Sequence, residues 1–186
     1  MEQNDYLVLL RGINAGGKNT IKMDELKAIF EEMEFSDVST YIQSGNILLK
    51  DSENNKAKLI KRIEKILTEK LGNEIKIAIL TLLDIKEILT GIPKGFGNEP
   101  DKYKYDVIFL IEPLTTEEIM QKIKIKQGKD KLYEGKKSLY VKRSTEKLTG
   151  SYITEVLKIT QNITVRNLNT TKKLYELMLE RAGNSK

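Results

Sequence analysis

The chain has 186 residues, 39% of them apolar and 32% charged, with 32 Lys and Arg against 27 Asp and Glu. That balance suits one ordinary domain or two small ones and excludes a disordered chain, and no stretch approaches the roughly 18 apolar residues of a membrane span. Cys and His are both absent, which excludes disulfides, a cysteine nucleophile, a Cys/His zinc site and a histidine general base, so any proton transfer falls to Asp, Glu, Lys or Tyr, or to a metal-bound water held by carboxylates.

The opening MEQNDYLVLL has no basic segment ahead of its apolar run. It is expected to be a strand and not a signal peptide, with the cytoplasm as the location. Residues 5–11 carry apolar side chains on both faces, and Met23, Leu26, Phe30 and Met33 then recur at helical spacing. VSTYIQ and NILLK read as two strands separated by Ser44-Gly45, a pair suited to a tight turn because glycine accepts a positive φ. Leu59, Ile63, Ile66 and Leu67 mark a second helix and EIKIAIL a fourth strand. Thr81-Leu-Leu-Asp84 has the spacing of a cap on a short helix over 82–90.

GIPKGFGNEPDKYK, residues 91–104, holds two of the three prolines and three glycines, and is expected to be a linker. The order then repeats. A strand over 105–111 leads to a helix opened by the Thr115-x-x-Glu118 capping pattern, and strands near 131–134 and 137–142 turn at Gly135-Lys136. A helix near 145–158, a strand around 163–166 and a last helix begun by Asn169 complete the chain. Charge follows the same division. Residues 1–93 hold 13 bases against 15 acids, a net of −2, and residues 94–186 hold 19 against 12, a net of +7. Ten of those bases lie between Lys122 and Lys147. Gathered on one surface they would attract polyanions; spread out, they are a solvated lysine-rich face.

The order βαββαβ, met twice, predicts an α+β chain of two tandem ferredoxin-like α/β plaits. The subdomains are expected over 1–92 and 105–186 with a linker over 93–104, each followed by an extra helix, packed together as one unit. The duplication is one of topology, without a residue-level repeat. Both leading strands are apolar on two faces, so the second face of each sheet needs a cover.

In a plait, the loop after the first strand and the turn between the second and third leave the sheet at the same end. LLRGINAGGKN and YIQSGNI are therefore expected to share an edge carrying Arg11, Asn14, Lys18, Asn19, Gln43, Ser44 and Asn46, with Gly12, Gly16, Gly17 and Gly45 exposing backbone N–H groups. Glycine pairs can aim successive N–H groups at an anion, Arg11 adds a bidentate fork and Lys18 a point charge. The spacing is neither that of a P-loop nor G-x-G-x-x-G. The bland alternative is a polar crossover whose glycines serve backbone geometry, with Gln43 and Asn46 flanking a turn.

LLRGINAGGKN, Met23 with Leu26, TYIQSGNI and the late TVRNLNT together resemble the bacterial family catalogued as domain of unknown function 1697, over essentially the whole chain from Leu9 to about Leu174. The resemblance implies two plait-like α+β subdomains and no settled activity. It carries over Arg11, Gly12, Asn14, Gly16, Gly17, Lys18, Asn19, Tyr41, Gln43, Ser44, Gly45 and Asn46, and adds Arg166 and Asn167 at the end of the last strand. Three positions depart from the family pattern: Ala15 where Val is usual, Glu34 where Gly is usual and Leu168 where Trp is usual. Asn167 or Asn169 is equally suited to capping the last helix, and Arg166 to pairing with a surface carboxylate.

The leading functional expectation is a pocket for a small anionic ligand, phosphorylated or nucleotide-like, at the edge of residues 11–19 and 43–46. The alternatives are a nucleic-acid-binding module using the basic second half, and a non-catalytic interaction or scaffold domain. No metal ligand set is predicted, and the sequence leaves the cofactor open.

Overall fold

The computed structural model describes residues 3–14, 20–123, 130–146 and 152–183. The first apolar segments form β1 (Asn4–Leu10), α1 (Met23–Glu32), β2 (Ser36–Thr40), β3 (Asn46–Asp51), α2 (Lys56–Leu71) and β4 (Ile77–Leu80), followed by α3 (Leu82–Thr90). The second series is β5 (Tyr103–Leu110), α4 (Thr116–Lys122), β6 (Asp130–Glu134), β7 (Ser138–Ser144), α5 (Tyr152–Ile159), β8 (Ile163–Asn167) and α6 (Leu168–Gly183). The strands make two four-stranded sheets, ordered β2-β3-β1-β4 and β6-β7-β5-β8, with every neighbouring pair antiparallel. The protein is thus mixed α+β, with two antiparallel sheets and, among the described residues, six helices. Among the described residues, no helix is long and apolar enough to cross a membrane.

Two compact units result, one from Met1–Leu83 with Leu174–Lys186 and the other from Asp84–Lys173. In the first, Tyr6, Val8 and Leu10 of β1 join Leu26 and Phe30 of α1 and Leu59, Ile63 and Leu67 of α2 in one core. The helical spacing of those residues is what turns each apolar stripe onto the sheet. Leu7 and Leu9, on the other face of β1, are also fully buried. Arg181 of α6 donates to Asp5 of β1 at 2.8 Å, which ties that helix to the first sheet. Asn55 caps α2 by accepting from the Lys58 N–H, and Gly72 at φ +69° ends it in the left-handed conformation.

In the second unit, Ile108, Leu139, Val141 and Ile163 meet Ile119 of α4 and Val156 of α5. The capping box predicted at Thr115 and Glu118 is present on α4. On the opposite face the Tyr140 hydroxyl donates to the Ile88 carbonyl at 2.5 Å, and Lys137 bridges Asp84 at 2.6 Å and Glu87 at 3.0 Å, so α3 is held to this sheet. The stretch expected as a linker over 93–104 packs here as well. Phe96 is buried edge-on against Tyr105 at 4.8 Å and Tyr140 at 5.8 Å, and the Glu99 N–H donates to the Tyr105 hydroxyl. Its prolines and glycines shape turns, while its one phenylalanine anchors them.

Other boundaries differ from the sequence expectation for local reasons. The strand expected over 38–43 stops at Thr40, because Ile42 takes φ +46° and turns the chain. The helix expected near 145–158 is found at Tyr152–Ile159, with Ser144 still in β7 and residues 147–151 outside the described residues. The last helix begins at Leu168, one residue earlier than expected.

Candidate functional site

The register of β1 with β3 sets Leu9 opposite Asn46, so the end of β1 and the start of β3 lie at one end of the first sheet. The Leu10 N–H donates to the Gly45 carbonyl at 2.8 Å, and the Arg11 N–H to the Lys76 carbonyl at 2.9 Å. Residues 11–14 and 41–45 therefore leave the sheet side by side, the juxtaposition that the order of elements predicts. Gly45 makes the approach close. At φ +68°, a Cβ added there would stand 2.9 Å from Leu10 Cβ and 3.2 Å from Ile13 Cβ.

Two of the predicted site residues hold backbone. Asn46 is fully buried, and its Nδ2 donates to the Tyr41 carbonyl at 2.9 Å and the Ser44 hydroxyl at 2.8 Å, closing the turn from within. Asn14, at φ +53°, donates through Nδ2 to the Ile21 carbonyl at 3.0 Å and accepts through Oδ1 from the Ile21 N–H at 2.9 Å. That reciprocal pair joins the two ends of the 14–21 loop as a strand pairing would. Gly16, Gly17, Lys18 and Asn19 lie outside the described residues.

The residues left facing outward are Arg11, Gly12, Tyr41, Gln43 and Ser44. Arg11, Tyr41 and Ser44 are half-buried, and Gly12 and Gln43 exposed. The Arg11 guanidinium forms no ion pair among the described residues. Partial loss of water lowers its pKa from the ordinary arginine value. It remains a cation at neutral pH.

Ile42 was not among the predicted site residues. It is 49% exposed and holds φ +46°, a conformation rare for a β-branched side chain. Its signal in the sequence is an isolated apolar residue inside the polar turn YIQSGN. Replacing Ile42 with asparagine, which tolerates this conformation, is expected to raise the unfolding free energy by about 1 kcal/mol in urea titrations. Unchanged or lowered stability would show that the turn holds no strain.

Arg166 and Asn167 belong to the second unit. Arg166, for which the sequence leaves a ligand contact and a pairing with a surface carboxylate equally open, is buried, donating to the Thr164 hydroxyl and the Val165 carbonyl, both at 2.8 Å. Burial lowers its pKa to about 10. Asn167 accepts from the Thr170 N–H at 2.7 Å and so caps α6. In the basic stretch, Lys137 meets Asp84 and Glu87, Lys142 meets Glu99 at 2.8 Å and Arg143 meets Asp106 at 2.6 Å. Lys124, Lys126, Lys129 and Lys147 lie outside the described residues.

The fold and this edge define an α+β protein with Arg11 and a polar turn at the end of its first sheet. The chain belongs to the protein family of unknown function DUF1697, whose model matches residues 3–140. Among solved structures it is similar to the conserved bacterial protein SP0830 from Streptococcus pneumoniae, with 26% sequence identity and a TM-score of 0.80 over 95% of this chain and 99% of that one. No match was found among curated proteins.

Proposed function

We propose that the protein binds a small anionic ligand, phosphorylated or nucleotide-like, at the end of the first sheet where residues 11–14 leave it beside the 41–46 turn. The observation that carries this reading is Arg11: a half-buried arginine where β1 leaves the sheet, next in sequence to the Leu10 that pairs with the turn, with no acidic partner among the described residues. A cation partly removed from water gains most from an anion that fills its open hydrogen-bonding positions. Gln43 and Ser44 supply neutral polar groups next to it, and Ile42 an apolar arm held out against its backbone preference. We read each unit as a ferredoxin-like plait, supported by the two strand orders, so that the ligand edge recurs as a feature of that topology.

The small-ligand reading is favoured over nucleic acid because three of the ten bases between Lys122 and Lys147, namely Lys137, Lys142 and Arg143, are matched by acids from outside that stretch. Salt separates the two. A polyanion binder with several phosphate contacts loses orders of magnitude in affinity between 50 and 200 mM salt, and a one-phosphate site far less.

The test is a thermal-shift screen against nucleotides and sugar phosphates, repeated on Arg11→Ala and Lys18→Ala. A ligand at 100 times its Kd stabilises by about 2.7 kcal/mol, which at this chain length raises Tm by roughly 5–10 °C. Loss of a charge-assisted pair in Arg11→Ala is expected to weaken binding by about tenfold or more. A shift that persists unchanged in both variants removes the ligand from this edge.

A further inference from the structure

A second place in the molecule carries its own argument, independent of Arg11. The second unit contains a cavity of about 450 Å³ lined by Tyr103, Lys104, Asp106, Arg143, Asn169 and Lys172, among others. Its origin is a mismatch of strand ends. β7 pairs with β5 as far as Tyr103, whereas the pairing of β8 stops at Asn167 opposite Asp106. Residues 103–105 of β5 are thus left without a strand on that side, and the chain departs as α6. Gly97 keeps the opposite wall close: at φ +101°, a Cβ there would stand 2.8 Å from Leu168 Cδ2. The volume falls in the range of small-molecule sites.

The lining is specific in its chemistry. Asp106 is only 7% exposed, and both Arg143 contacts, from Nε at 2.8 Å and from the terminal nitrogen at 2.6 Å, go to its Oδ2. Oδ1 receives no donor among the described residues. That oxygen is not among the buried atoms that lack a partner, so it is open to the cavity, where a ligand O–H or N–H can donate to it. Arg143 being taken, Lys104 and Lys172 are the cations left over; both are exposed, and neither has an ion-pair partner among the described residues. Tyr103 adds a half-buried ring with Lys142 Nζ 3.7 Å from its centroid, which fixes the ring in place. The first turn of α6 contributes less than its position suggests, since Asn167 already occupies the Thr170 N–H.

Two free lysines suit a group of about two negative charges, an acceptor-only carboxylate oxygen suits a hydroxyl, and a tyrosine face suits a ring. We infer that this cavity binds a phosphomonoester of a hydroxylated ring, a sugar monophosphate either free or within a nucleotide. The phosphate lies on Lys104 and Lys172, a ring hydroxyl donates to Asp106 Oδ1, and the ring rests on Tyr103.

Isothermal titration of the full chain with ribose 5-phosphate, AMP and inorganic phosphate tests this. Ribose 5-phosphate or AMP is expected to bind at least tenfold more tightly than inorganic phosphate. The stronger of the two identifies the source as free sugar or nucleotide. Lys172→Ala and Lys104→Ala should each weaken that binding about tenfold, and Asp106→Asn should narrow the advantage over inorganic phosphate. Circular dichroism checks that each variant is folded, and the two lysine variants alone decide the matter should Asp106→Asn not fold. No binding of either organic phosphate at millimolar concentration overturns the inference. So does equal binding of inorganic phosphate, or binding that survives the double lysine variant. Binding lost in Arg11→Ala but kept in the lysine variants belongs to the edge of the first sheet, and the inference here falls while that proposal stands.

Discussion

Replacing Gly45 with alanine is expected to destabilise the protein by roughly 2–4 kcal/mol, the sum of a left-handed backbone that a Cβ disfavours and an overpacked contact. The contact is the decisive part. The added methyl would lie 2.9 Å from Leu10 Cβ and 3.2 Å from Ile13 Cβ, atoms fixed close to the backbone that cannot swing aside as the end of a long side chain can. Relief requires the 41–45 turn to lift from β1. That would break the bond from the Leu10 N–H to the Gly45 carbonyl and disturb the Asn46 amide that closes the turn. In a chain of this length the loss corresponds to a fall in Tm of roughly 5–15 °C. Chemical denaturation of Gly45→Ala beside wild type measures it, and a loss below 1 kcal/mol would show that the turn and β1 are not tightly coupled. The same variant should weaken any ligand held between Arg11 and the turn, since the two walls of that edge would separate.

The second large effect is expected at Arg143 and depends on pH. Burial raises the Asp106 pKa above the ordinary 3.8, against the lowering by the Arg143 hydrogen bond and charge. Lys104 also lowers it and Asp130 raises it. A folded-state pKa above the unfolded value means that the native state holds the proton more tightly. The Asp106 contribution is therefore most favourable below pH 3.8 and declines as pH rises through the folded pKa. In Arg143→Met the carboxylate loses its main cation, its folded pKa rises further and the decline extends to higher pH. At pH 7 the variant is expected to be less stable than wild type by about 3 kcal/mol, the lower end for breaking a buried pair, because Arg143 keeps some exposure to water. The deficit should shrink as pH falls towards 3, since a protonated Asp106 no longer needs the cation. Urea unfolding at both pH values checks the difference. A deficit equal at the two would assign the loss to packing of the arginine stem and not to charge.

Much of the first unit was legible in advance because its information is local. The spacing of Met23, Leu26, Phe30 and Met33, the alternation through β1 and β3, and the glycine of the Ser44-Gly45 turn each specify backbone within a few residues. The order of elements was enough to predict that residues 11–14 and 41–45 emerge together. What could not be read was the use each polar residue finds there. Asn14 and Asn46 look like ligand contacts in the sequence, yet hydrogen-bond accounting assigns them to backbone groups that would otherwise be unpaired. Phe96, in a stretch rich in proline and glycine, gave no sign of its anchoring role, because its partners Tyr105 and Tyr140 lie in strands formed later in the chain.

Charge shows the same division. By itself the sequence determined the α+β class, the repeated order of elements, the absence of thiol and imidazole chemistry and the location of the polar loop, since all of these depend on residue type and short spacing. Only the tertiary structure decided which charges remain available. Asp84, Glu87, Glu99 and Asp106 neutralise Lys137, Lys142 and Arg143 across up to 53 residues of chain, whereas Arg11 and Lys172 are left without such partners among the described residues and Lys104 feels Asp106 without forming an ion pair. Electrostatic energy falls with distance in space and not along the chain, so a run of lysines in the sequence does not determine where the protein is positive.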